Sequence, residues 1–133
     1  MRNSDKLDRY TPLPLYKYNP ESNTATFVKS ICDDCIWDSC ITEMFGNPLL
    51  FTAHHNDYYL DIYKWDSNTE KFIQDRSIES NEKNSRMAGQ LFEYKGEKYA
   101  PFQNCSRTYG GNIDLKKITF EEGTFTSPLV KKL

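Results

Sequence analysis

The chain has 133 residues and a net charge of −2, with 17 Lys and Arg against 19 Asp and Glu. That length suits one domain with an adequate core, and the cations are too scattered to form a basic footprint for nucleic acid. Nine Tyr, eight Phe and two Trp exclude a disordered composition, and no apolar run nears the ~18 residues of a membrane helix.

The opening residues, MRNSDKLDRY, lack the apolar stretch of a secretory signal, so a cytoplasmic location away from membranes is expected. From Leu15 to Phe27, LYKYNPESNTATF alternates apolar and polar residues around a turn of Asn, Pro and Ser, which predicts a β-hairpin. Three cysteines follow in CDDCIWDSC. One C-x-x-C can be half of a zinc site or a redox pair. There is no second such pair, and the residues between Cys40 and His54 read as strand, so the favoured expectation for Cys32, Cys35 and Cys40 is inert thiols without a metal. Next, ITEMFGNPLLFTAHH predicts a short strand, a Gly46-Asn47 turn and an apolar strand ending at His54-His55. His54 and His55 are adjacent and so point to opposite faces; a surface role is expected for them.

IYKWDSNTEKF, from Ile62 to Phe72, repeats the first hairpin. IESNEKNSRMAG then reads as a loop, its Asn and Ser content opposing helix. GQLFEYKGEKYAPFQ repeats the strand–turn–strand unit with Lys95-Gly96 as its turn, and QNCSRTYGG follows as a polar loop reversed by Gly110-Gly111. LKKITFEEGTF, from Leu115 to Phe125, is the third copy of the hairpin, and TSPLVKKL shows no closing strand.

The hairpins recur roughly 50 residues apart with the second unit between them, giving about four strands per period. This predicts an all-β fold, a partial β-propeller of about two four-stranded blades plus an extra hairpin. Residues 1–35 supply the outer hairpin of a preceding blade, 36–80 one blade and 81–133 the next. Propellers need about four or more blades to close, so the chain is expected to be a fragment, or to cover its open faces with further blades or a second copy.

From Ser85 to Ile118, SRMAGQLFEYKGEKYAPFQNCSRTYGGNIDLKKI resembles the propeller-like N-terminal domain of plant glucosamine inositolphosphorylceramide transferases and of similar bacterial proteins from polysaccharide gene clusters. The shared pattern is Ser-Arg-Pro-Ala-Gly, Leu-Phe, a Gly turn, Tyr-x-Pro, Gln-Asp-Cys-Ser and Tyr-Gly; here Met87 replaces the proline and Asn104 the aspartate. The stretch from Ile36 is similar to the preceding blade, more weakly. The resemblance implies the five-bladed superfamily of arabinanases, levansucrases and invertases, whose inner strands line a funnel and carry carboxylates. It places Asp38 at such a strand's start, and Arg86 where related glycosidases keep their proton donor. A guanidinium cannot be a general acid but can hold an anion or a structural ion pair. The bland readings are a turn aspartate for Asp38, and for Arg86 packing on Tyr94 or Tyr99 or pairing with a Glu.

Gln103, Asn104 and Ser106 suit sugar hydroxyls or a self-satisfied loop equally, and Tyr109 can stack on a sugar or cover the loop. Cys105 has no activating neighbour in sequence, and no phosphate-loop motif is present. The expected ligand-binding set is therefore Asp38, Arg86, Gln103, Asn104, Ser106 and Tyr109, with no cofactor. The expected function is a carbohydrate-related module binding or positioning a glycan or glycan-phosphate beside a partner glycosyltransferase, without hydrolysis of its own. The alternatives are a fragment of a true glycosidase or glycosyltransferase, and a self-associating structural remnant.

Overall fold

A computed structural model describes residues 13–34, 36–44, 46–53, 57–108, 111–121 and 124–133. They form an all-β partial propeller, with no helix among them. The first hairpin pairs β1 (Leu13–Asn19) with β2 (Thr24–Cys32). The first full blade is an antiparallel meander of β3 (Trp37–Met44), β4 (Asn47–Ala53), β5 (Tyr59–Asp66) and β6 (Lys71–Glu79).

The second blade holds six strands in four lanes. Central strands β9 (Glu97–Asn104) and β10 (Asn112–Glu121) pair with each other. Along the free edge of β9 run β7 (Arg86–Met87) and β8 (Phe92–Tyr94), one lane broken by residues 88–91. Along the free edge of β10 run β11 (Thr124–Thr126) and β12 (Leu129–Lys132), a lane broken at Ser127-Pro128. The C-terminal TSPLVKKL thus does supply a closing strand, against expectation. Pro128 reads as a breaker because it has no N–H to give. Its carbonyl nevertheless accepts from Lys117 N, and the lane resumes beyond it.

Turn chemistry follows the residues. Lys95 (φ 51) and Gly96 (φ 81) make the tight reversal from β8 to β9. In the first blade Asn47 already belongs to β4, paired with Met44, so the reversal falls at Gly46 (φ 81) and not at Gly46-Asn47. Gly111 is not left-handed; it is needed because a Cβ there would collide with the Thr108 hydroxyl and meet its carbonyl at 3.2 Å. Gly110 lies outside the described residues.

Strand alternation builds the stacking. One face of the first blade presents Cys40, Met44, Leu49, Phe51, Leu60 and Ile62 to Met87, Leu91, Ala100, Phe102 and Ile118 of the second. The opposite face presents Leu50, Tyr63 and Phe72 to Ile31 and Cys32 of the hairpin. This is why β4 is buried on both sides. The outermost surfaces remain open: Tyr16, Phe27 and Val28 on the hairpin, and Phe92, Tyr94 and Val130 on the second blade.

Candidate functional site

The first strands of the two blades, β3 and β7, lie against each other. Arg86 opens β7, and its Nη2 and Nε reach the same oxygen of Asp38, Oδ2, at 2.7 and 2.8 Å. Asp57 Oδ1 stands 3.8 Å from Nε, and the guanidinium lies 5.7 Å from the centre of the Trp37 ring. Asp38 is held at φ 50, a left-handed conformation that Asp tolerates better than most residues. The ion pair therefore forms between blades, with aspartate and aromatic partners in place of the Tyr94, Tyr99 or Glu expected.

Beside it lies a groove of about 370 Å³ lined by Asp38, Ser39, Met87, Gly89, Gln90 and Gln103, among others. Gln103 Nε2 donates to Met87 O, and Gln90 Nε2 donates to Ile41 O. Each bond orients its amide and uses one of that amide's two N–H groups. Asp38 Oδ1, Gln90 Oε1 and Gln103 Oε1 have no protein donor among the described residues. The groove thus presents three acceptor oxygens, and Arg86 beside it is engaged by carboxylates. Such a rim suits a ligand rich in hydroxyl donors.

The other expected residues part company with these. Asn104 is next to Gln103 in β9 and so points to the other face of the sheet. It is buried, and its amide donates to Asp114 Oδ2 at 2.9 Å and to Glu82 Oε1 at 3.3 Å. Its Oδ1 accepts from Ser106 N, while the Ser106 hydroxyl accepts from Lys83 N at 3.2 Å. Cys105 N donates to Lys83 O at 2.7 Å. This end of QNCSRTYGG therefore clasps the loop after β6. Tyr109 lies outside the described residues, as do Cys35, His54 and His55.

Asp114 anchors this second cluster. Fully buried, it accepts from Asn84 Nδ2 (2.9 Å), Asn104 Nδ2 and Lys132 Nζ (3.2 Å). Burial pushes its pKa up, but these donors outweigh burial and leave it below the ordinary carboxylate value. Neither Asp114 nor Gln90 was expected from sequence. Asp114 had a signal: it aligns with Asp61 in the hairpin repeat, a charge recurring in two apolar strands. Gln90 had none beyond its place after Ala88-Gly89.

Cys32 and Cys40 are free and sit in separate core clusters, on opposite faces of the first blade. Burial raises both thiols' pKa values, which disfavours the reactive thiolate. Among the described residues no three His, Cys, Asp or Glu side chains gather as a metal site, and no helix is long and apolar enough to cross a membrane.

A scan against protein-family models returns no match, and a search of curated proteins finds no relative.

Proposed function

We propose that the chain is a carbohydrate-related propeller module that binds or positions a glycan through the groove between β3 and β7, without hydrolysing it. The observation that carries this reading is the acceptor rim of Asp38 Oδ1, Gln90 Oε1 and Gln103 Oε1 on one groove. Sugar hydroxyls donate to such oxygens, and Trp37, 43% exposed beside Arg86, offers a ring face for stacking. The resemblance of Ser85–Ile118 to the transferase-associated domains points the same way. Glycoside hydrolysis needs a proton donor opposite a second carboxylate. Arg86 stands where the resemblance would put that donor, and it cannot give a proton. Engagement of Arg86 by Asp38 and Asp57 favours a neutral glycan over a glycan-phosphate.

The open outer surfaces support further blades, a partner glycosyltransferase or a second copy as neighbours in the assembled state.

The test is a glycan-array screen of the folded chain, followed by titration calorimetry with the best binder and its phosphorylated analogue. Binding that is lost in Gln103→Ala, with no sugar released on prolonged incubation, is expected. An array on which nothing binds above background would refute the reading, and release of free sugar would favour a true glycosidase.

A further inference from the structure

A second cavity shares no lining residue with the groove. It is a cleft of about 890 Å³ between the loop after β6 and the β11–β12 lane, lined by Ser80, Glu82, Asn84, Phe125 and Ser127, with Lys116 among them. Lys116 is 3% exposed, and it lines this cleft. Its Nζ donates to Asn84 Oδ1 at 3.2 Å and lies 4.5 Å from the centre of the Phe102 ring. No carboxylate is within ion-pair distance of it among the described residues. Asp114 and Glu82 are instead bridged by Lys132, at 3.2 and 3.4 Å.

The charges balance: Asp114 and Glu82 against Lys116 and Lys132. A further anion would therefore find no unmet positive charge here, and Glu79 on the rim would repel it. What the cleft does offer is an amine taken out of water by burial and acted on by a second ammonium, that of Lys132, the two conditions that favour a nucleophilic lysine. Burial holds the Lys116 pKa down to about 8, against the pull of Asp114 and Glu82 and with help from Lys132.

We propose that Lys116 is an amine nucleophile and that the cleft admits a small neutral aldehyde, of sugar size or less, which it captures as an imine. The Nζ lone pair attacks the carbonyl carbon as the C=O π pair moves to oxygen. The carbinolamine then loses that oxygen with both amine hydrogens as water, leaving a C=N bond. When protonated, the imine keeps the positive charge that Asp114 faces, so capture preserves the balance of the network. The inference does not depend on glycan binding at the other groove.

The experiment treats the intact chain with limiting glyceraldehyde and sodium cyanoborohydride between pH 7 and 9, and maps the reduced adducts by peptide mass spectrometry. Lys116 is expected to be labelled roughly tenfold faster than the exposed Lys95, because burial keeps a large share of the Lys116 amine neutral in this range. That preference should disappear in urea. Lys116→Arg, which keeps the cation, should lose the fast phase alone. The wild-type map stands even if that variant fails to fold. Labelling of Lys116 no faster than Lys95 in the folded chain, or only after unfolding, would overturn the proposal.

Discussion

Asp61 and Asp114 occupy the same place in successive blades. Each is fully buried in the third lane, two positions before Tyr63 or Lys116, the residues that mark the repeat. Asp61 accepts from the Ser77 hydroxyl and from Gln74 Nε2 of β6; Asp114 accepts from Asn84, Asn104 and Lys132. In both blades the carboxylate ties side-chain donors from neighbouring segments to the centre of the sheet. Removing Asp114 takes an acceptor from two buried amides and leaves Glu82 as the remaining carboxylate beside Lys116 and Lys132. Asp114→Ala is therefore expected to cost about 3 kcal/mol and Asp61→Ala about 2. Urea unfolding of the two variants checks this; equal, small losses would show that the carboxylates are not structural keystones.

The same network makes stability rise with pH in two separate ranges, one acidic and one alkaline. Asp114 has a lowered folded pKa, so its contribution is present above its unfolded value of about 3.9 and is lost as pH falls through the folded pKa. Asp114→Asn should flatten the acid limb of the stability curve. Lys116 is a base with a folded pKa lowered to about 8, so below that pH the folded state bears the cost of holding it charged. Between about 8 and 10.4 the unfolded chain binds more protons, and stability rises with pH. The difference in unfolding free energy between wild type and Lys116→Met should thus shift in favour of wild type by roughly 2–3 kcal/mol from pH 7 to pH 10. A pH-independent difference would mean that the amine is not held at a depressed value.

The hairpins were legible because period-2 alternation and turn residues are local: β1–β2, β5–β6 and β10–β11 lie where the three repeats predict them. The breaks in the second blade were not, because residues 88–91 and Pro128 look like interruptions until a neighbouring strand supplies their hydrogen bonds. At the site, Asp38, Arg86 and Gln103 come together across blades, a contact that strand order implies but no single motif spells out. Asn104 and Ser106 are near neighbours of Gln103 in sequence. The alternation that defines a strand separates Gln103 from Asn104, sending one to the groove and the other to the buried network.

The outer surface of the second blade carries Phe92, stacked on Tyr99 at 5.8 Å, with Tyr94 and Val130 both more than half exposed. An apolar sheet face of this kind associates unless something covers it. The isolated chain is expected to show a weight-average mass that rises with concentration in light scattering. Val130→Glu should suppress that rise with less than about 0.5 kcal/mol change in stability, since the side chain is solvated. A mass that stays monomeric in the wild type at high concentration would remove self-association from the reading.

The Asp38–Arg86 pair calls for variants chosen by backbone as well as charge. Asp38→Ala would confound two effects, because a left-handed φ of 50 costs an alanine about 1 kcal/mol or more by itself. Asn tolerates that conformation, so Asp38→Asn isolates the carboxylate. The pair is about a third exposed on the Asp38 side, and its coupling in a double-mutant cycle with Arg86→Met is expected to be about 1 kcal/mol, falling with added salt. Arg86→Lys should recover little of it, since an ammonium lacks the planar fork that directs two N–H groups at Asp38 Oδ2. If glycan binding uses the acceptor rim, Asp38→Asn should weaken it several-fold while Arg86→Lys should weaken it less, because the rim oxygens survive the second change. Equal losses in the two variants would place the ligand on the guanidinium instead, and a glycan-phosphate would then be the better candidate.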